Sequence, residues 1–207
     1  TMIDGAVQSL QALVAPVPEV DRRHERIRRA VSRINALVEK TLEYDRIGHE
    51  TQTLEHRISL DLGRLTHSVI AGYGLPVTRL DLTVAGPVPI IGNPNLIEVL
   101  LANLVYNALK YSPEDTQVTV TLGITRQAAF LEVRDRGSGI PPPLRPILFD
   151  RYVRGQNVGD IPGAGLGLYL VRRIARWHAG EVECLEREAG GACLRVTLPL
   201  SPRKEMA

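Results

Sequence analysis

The chain has little of what marks several protein classes. Its 207 residues hold only two cysteines, Cys184 and Cys193, which excludes a disulfide scaffold and fits a reducing cytosol. It contains no run of about 18 apolar residues, so no segment reads as a bilayer-spanning helix. The amino end is a short amphipathic stretch without a basic n-region, and no secretory signal is legible there. Charge of one sign is also missing: 25 Lys and Arg against 23 Asp and Glu leave +2, which by itself attracts neither nucleic acid nor a membrane. The five histidines and two cysteines fall at no metal-site spacing, and no Ser–His–Asp signature or internal repeat is present. What remains is an ordinary soluble composition, 44% hydrophobic and 23% charged, with room for one large domain or two small ones around a real core.

Two patterns divide the chain. In residues 1–50, Ile3, Ala6, Val7, Leu10 and Leu13 share a helical face. Ala15-Pro-Val-Pro breaks that helix, and a second one to Gly48 carries a near-heptad series from Ile27 through Val31, Ile34, Val38 and Ile47. A hairpin with apolar faces this wide cannot bury them alone, so pairing into a four-helix bundle, a homodimer, is expected. The arginine run from Arg22 to Arg33 reads as a solvated face. Residues 51–59 are polar and read as a linker. From Leu60 onward the pattern is α+β: a helix to Tyr73 after a short strand near Ile58, and strands over Thr78–Val84 and Pro87–Ile91. Asn93-Pro94 then caps and opens a helix that Ser112-Pro113 ends. A hairpin turns at Arg126-Gln127, a helix runs from about Gly165 to His178 and is closed by Gly180, and a final hairpin turns at Gly190-Gly191.

The stretch Leu96–Ser112 is central. Ile97, Leu100, Leu101, Leu104 and Ala108 make a stripe for packing on a sheet. Asn103, Asn107 and Lys110 stack on another face, with Tyr111 beside them. Asparagine is a mediocre helix former; two of them one turn apart are either solvated surface or ligands. A neutral carboxamide oxygen suits Mg²⁺ beside a triphosphate. Asp135, in Asp135-Arg-Gly-Ser-Gly-Ile at a strand end, is an acceptor-only carboxylate suited to an exocyclic amine, with glycines that let the backbone crowd a flat ligand; a plain tight turn is the alternative. Gly163-Ala-Gly-Leu-Gly-Leu opens a helix whose free N–H groups favour phosphate. It fits neither the Rossmann nor the P-loop pattern. The Gly/Pro-rich segment before it, with Phe149, Arg151 and Arg154, reads as a lid or as a flexible loop. Trp177 reads as core, the histidines as polar surface, and Cys184 and Cys193 as reduced residues facing each other across the last hairpin.

These pieces resemble one family in order and spacing. NLVYNALKYS looks like the N box, DRGSGIP the G1 box, FDRYVRG the F box and GAGLGL the G2 box of the ATP-binding domain of bacterial two-component sensor histidine kinases. RIRRAVSRINALVEKTLEYDRI is similar to the second helix of their dimerisation and phosphotransfer hairpin. The resemblance implies a Bergerat-type (GHKL) α/β sandwich, a mixed sheet with three helices on one face, over residues 60–207, preceded by the hairpin. It implies that ATP and Mg²⁺ bind, with Asn107, and Asn103 as second candidate, at the metal. Lys110 would contact phosphate and Tyr111 would flank the nucleotide. Asp135 would read the adenine amine in a pocket shaped by Gly137, Gly139 and Ile140. Gly163, Gly165 and Gly167, with Leu166 and Leu168, would form the phosphate cradle under Phe149, and Arg151 or Arg154 would reach the terminal phosphate. The implied partners are a second copy and a response-regulator receiver domain, not nucleic acid, in the cytoplasmic part of a membrane-bound sensor.

One departure stands out. The family phosphorylates a histidine in a motif like HExxxP, which is absent here. His24-Glu25 lacks the proline and lies on the second helix, and His49-Glu50, His56, His67 and His178 lack the pattern. No catalytic acceptor is therefore assigned, and the chain reads as a piece whose acceptor stands upstream of Thr1. A non-catalytic dimeric nucleotide-binding scaffold and a related GHKL-type ATPase are the alternatives.

Overall fold

The structure is a computed structural model, and it describes residues 56–72, 75–155, 164–187 and 190–201. The expected hairpin, its dimer, the arginine run, most of the linker and Gly163 lie outside the described residues. Strand β1 (Ile58–Asp61) pairs antiparallel with β3 (Pro89–Gly92), and helix α1 (Leu62–Gly72) lies between them in sequence. The main sheet contains β2 (Leu80–Val84), β4 (Val118–Ile124), β5 (Ala128–Arg134), β6 (Glu181–Leu185) and β7 (Cys193–Pro199). Its order is β2-β4-β5-β7-β6. Only the β2–β4 pair is parallel, so the sheet is mixed. Helices α2 (Pro94–Tyr111) and α3 (Gly167–Trp177) complete the unit, and α2 packs against both α1 and α3. This is the α+β sandwich expected from the alternation of patterns.

The period-2 residues explain the layering. Val118, Val120 and Leu122 of β4 align with Leu131 and Val133 of β5 and with Leu194 and Val196 of β7, and all are buried. Against them α2 places Ile97, Leu100, Leu101 and Leu104, each at most 1% exposed. A fully buried Leu or Ile contributes about 1.5–3 kcal/mol, so this seam is the main anchor of α2. The opposite face of the sheet carries a charged cluster on its central strands. Glu132 is 1% exposed and is held between Arg134 and Arg195, whose Nε donates to Glu132 Oε2 at 2.8 Å. The flanking strands make this a buried ion pair.

Both ends of the central helices are specified locally. Asn93 Oδ1 accepts the N–H groups of Asn95 (3.0 Å) and Leu96 (3.3 Å), and Pro94 takes the first helical position, as the sequence indicated. At the end of α3 the left-handed residue is Ala179 (φ 55), with Gly180 N bonded to Ala175 O and Ala179 N to Arg176 O, which is a Schellman closure. Gly180 serves spacing instead: a Cβ there would overlap Thr197 O of β7.

Several expectations need correction. Helix α3 starts at Gly167, not 165, because Gly165 has φ +69 and cannot belong to the helix. Residues 77–79 form a 3-10 turn ahead of β2. Trp177 is only half-buried and lies under the Arg173 guanidinium, 4.6 Å from its ring centre. Cys184 stands opposite Leu194 and Cys193 opposite Leu185, one register step apart and therefore on opposite faces, and both are free. His178 is not a surface residue. It is 4% exposed; its Nδ1 bonds Ile174 O at 2.8 Å and its Nε2 accepts from Asn93 N at 3.0 Å. Those partners require the neutral imidazole with its proton on Nδ1. Burial holds its pKa below the ordinary 6.5, a shift the Ile174 carbonyl opposes and the Arg57 charge reinforces. His178 thus ties the end of α3 to the start of α2.

Candidate functional site

Asn103 and Asn107 are half-buried on the face of α2 that meets the start of α3. Asn103 Nδ2 donates to Val99 O one turn back at 2.8 Å, which turns its Oδ1 outward toward Gly167. A Cβ on Gly167 would stand 2.8 Å from that oxygen and 3.6 Å from Asn107 Nδ2. Gly167 is thus the residue that lets the helix opening approach both carboxamides. No side chain caps the start of α3, where Leu166 occupies the cap position. Its first N–H groups consequently have no capping side chain among the described residues, the condition under which a helix start favours an anion. Farther along α2, Lys110 is exposed and its ammonium sits 4.9 Å from the Tyr111 ring centre, with Nζ 3.3 Å from the hydroxyl. The two residues extend the same ridge.

Asp135 stands where β5 ends. It is 7% exposed. One carboxylate oxygen, Oδ1, accepts the N–H groups of Gly137 (2.8 Å) and Ala192 (3.0 Å). Oδ2 has no hydrogen-bond partner among the described residues. Burial pushes the carboxyl pKa up, against the lowering effect of those two N–H groups and of Arg187. A desolvated carboxylate with one oxygen fixed and one open is a directed acceptor. Gly137 is required by space: a Cβ would overlap Tyr111 O at the end of α2, so this close approach joins the Asp135 turn to the asparagine helix. From the other side, Asp135 N donates to Ala192 O at 2.9 Å and Arg187 donates to Asp135 O. Gly191, with φ +76, lies so close that a Cβ would overlap Asp135 O.

Residues 151–155 and α3 supply the third piece. Arg151 stacks on Tyr169, 4.7 Å from the ring centre, and its Nη2 donates to the hydroxyl at 2.8 Å. Burial would raise the Tyr169 phenol, but the Arg151 hydrogen bond and the charges of Arg173 and Arg151 outweigh it and lower its pKa. Arg172 pairs with Asp150 at 2.7 Å. Phe149 is buried at 7% exposed, so it anchors this segment instead of covering an open cleft. Arg154 is exposed. Tyr152 is left-handed (φ 66) and its N–H bonds Gly165 O at 3.0 Å, which holds the two ends of residues 152–165 together.

Asn103, Asn107, Gly165, Leu166, Gly167 and Leu168 therefore belong to the α2–α3 junction, and Gly137 and Asp135 join it through the end of α2. Gly139 and Ile140 face elsewhere: they line a cavity of about 230 Å³ behind the Asp135 turn, bordered by Cys184, Leu185, Arg187 and Gly191. Sequence reading missed Ala192, Arg187, Tyr169 and His178. Ala192 is 57 residues from the carboxylate it holds, and Gly190-Gly191 carried a turn signal that said nothing of Asp135.

Comparison with known proteins places this geometry. Residues 92–202, more than half of the chain, match the family described as histidine kinase-, DNA gyrase B-, and HSP90-like ATPase. The Escherichia coli sensor protein KdpD is 32% identical over 89% of this chain and 21% of its own length. The sensor-like histidine kinase SenX3 of Mycobacterium tuberculosis is 28% identical over 94% of this chain and 50% of its own. The chain thus spans half or less of these curated relatives. Among solved structures, the mycobacterial sensor histidine kinase MprB superposes with a TM-score of 0.63 at 26% identity, covering 70% of this chain and all of that one. On the match over residues 92–202 and the four boxes it contains, the chain belongs to the histidine kinase-, DNA gyrase B- and HSP90-like ATPase family, and its relatives there are sensor histidine kinases.

Proposed function

We propose that this chain is the kinase part of a sensor histidine kinase, which binds ATP with Mg²⁺ and transfers the γ-phosphate to a histidine for relay to an aspartate of a response-regulator receiver domain. The observation that carries this reading is the junction at Gly167, where two carboxamides meet an uncapped helix start, within reach of the turn that leaves Asp135 Oδ2 open. Phosphoryl transfer is chiefly positioning and charge neutralisation, and these groups supply both. Neutral, hard carboxamide oxygens on Asn107 and Asn103 fit Mg²⁺ without repelling the phosphates. When bound, the metal would neutralise phosphate charge. Lys110 would face phosphate, Tyr111 would flank the nucleotide, Asp135 would accept from the adenine amine, and Gly163, Gly165, Leu166 and Leu168 would shape the phosphate end. Arg154, or Arg151 after leaving Tyr169, would meet the terminal phosphate.

Residues 1–50 would pair two copies, and the kinase would act in the cytoplasm as part of a longer sensor; no described helix is long and apolar enough to cross a membrane. Titration with a non-hydrolysable ATP analogue and Mg²⁺ tests the site. Asn107→Asp places a carboxylate against the phosphates and is expected to weaken binding roughly 10-fold or more, a little over 1.4 kcal/mol. Unchanged affinity in that variant would remove the basis of the reading. Incubation with γ-labelled ATP should leave the chain unlabelled, and stoichiometric acid-labile phosphate would show an acceptor within it. Steady ATP hydrolysis without labelling would favour an ATPase of the same family.

A further inference from the structure

We propose that the cavity behind the Asp135 turn is a binding site for a compact oxyanion, a molecule the size of phosphate or a small dicarboxylate. The cavity measures about 230 Å³ and is walled by Ile140, Gly191, Cys184 and Leu185, with Arg145 and Arg187 in its lining and no carboxylate among the described lining residues. Neither arginine is saturated. Arg145 uses Nε on Ile140 O (3.3 Å) and Nη1 on Glu186 Oε1 (3.2 Å). Its Glu186 partner is 82% exposed, and an ion pair that open to water holds an arginine only weakly. Arg187 commits Nη1 to Asp135 O. A guanidinium carries five N–H donors in a planar fork, so each arginine keeps donors for a ligand. Two cations in a partly enclosed hollow, walled otherwise by Ser138, glycine backbone and apolar side chains, favour a small anion over a neutral or cationic occupant.

The site is coupled to the Asp135 turn by construction. Arg187 holds the main-chain oxygen of Asp135, Gly191 packs on that oxygen, and Ala192 N fixes Asp135 Oδ1. An anion seated on Arg187 therefore pulls on the same turn that aims Oδ2. The effect on nucleotide affinity rests on the function proposed above, whereas occupancy of the cavity does not.

Cys184 lines the cavity and serves as the probe, while Cys193 is buried at 3% exposed and acts as an internal control. The full chain, without nucleotide, is treated with a sulfonate-bearing or a trimethylammonium-bearing methanethiosulfonate, and modified cysteines are counted by mass spectrometry. The Cys184 thiolate attacks the reagent's sulfenyl sulfur, a mixed disulfide forms, and methanesulfinate leaves. Relative to a free thiol in solution, the anionic reagent is expected to react about fivefold or more faster than the cationic one. That preference should shrink in Arg145→Gln, a side chain 31% exposed at the rim. Inorganic phosphate or malonate should slow modification by both reagents, and the more protective of the two identifies a tetrahedral or a planar oxyanion. Equal or reversed reagent preference in the unaltered chain, absence of protection by either anion, or a Cys184 that reacts only after unfolding would each overturn the proposal.

Discussion

Asp135→Asn separates the two things this carboxylate does. In the unaltered chain Oδ1 is held by two backbone N–H groups, while Oδ2 has no partner among the described residues and the whole group is 7% exposed. Asparagine keeps an oxygen for the two backbone donors and puts an NH₂ where Oδ2 stood. If Oδ2 accepts the exocyclic amine of adenine, the variant loses a charge-assisted hydrogen bond and sets a donor against a donor. Such a bond is worth about 1.5–3 kcal/mol, which at ~1.4 kcal/mol per decade is roughly 10- to 100-fold in ATP-analogue affinity. The loss should be smaller for inosine triphosphate, whose carbonyl accepts where adenine donates. Stability should move the other way. Burial raises the Asp135 pKa above 3.8, so the folded state holds a proton that the unfolded state releases. The charge then opposes folding most above the folded pKa, and this opposition fades as pH falls through it and is gone below 3.8. The variant should therefore melt at the same or a higher temperature than the unaltered chain at neutral pH, with the difference vanishing in acid. Isothermal calorimetry and thermal melts across pH measure both effects. Unchanged ATP affinity, or a neutral-pH melting temperature well below that of the unaltered chain, would refute the assignment.

Gly167→Ala should leave stability nearly unchanged, because the new methyl meets the movable carboxamide ends of Asn103 and Asn107 and alanine suits a first helical turn. Rotating Asn103 aside should nonetheless weaken analogue and Mg²⁺ binding about tenfold, of the order of one hydrogen bond to a charged group, as read by paired melting and titration. For His178, the depressed pKa means the folded state refuses a proton that the unfolded state takes up near 6.5. Its contribution to stability is present above that pH and is lost as pH falls through 6.5 toward the lower folded value. Urea titrations between pH 8 and 5 should show this slope, and His178→Gln should flatten it while lowering stability at pH 8 by about 1–3 kcal/mol, the cost of a buried donor or acceptor left unpaired. An unchanged slope in the variant would assign the pH dependence to other groups.

Much of the fold was legible because its signals are local. The Asn93-Pro94 cap, the stripe from Ile97 to Ala108, the alternation in β4 and β5 and the glycine turns each depend on residues within a few positions of one another, where spacing and propensity act directly. Starts and stops were less secure where a single backbone angle decides them, as at Gly165. The ordered boxes on α2, after β5 and before α3 also named most of the candidate residues. The misreadings concern burial. His178 looked like polar surface because nothing near it in sequence reveals that Asn93 N, 85 residues away, meets its ring. For Glu132, alternation with Leu131 and Val133 reports which face it takes, not that Arg134 and Arg195 flank it there.

The sequence by itself determined which elements form, which faces they bury and which residue types sit at the helix and strand ends, since those follow from periodicity, capping and the chemistry of single side chains. Only the tertiary structure decided that Gly167 admits the asparagines to the opening of α3, that Ala192 and Arg187 hold Asp135, and that Gly139 and Ile140 face a cation-lined hollow. These are contacts between residues far apart along the chain, and they exist only once α2 packs against α3 and the sheet order brings β5, β7 and β6 side by side.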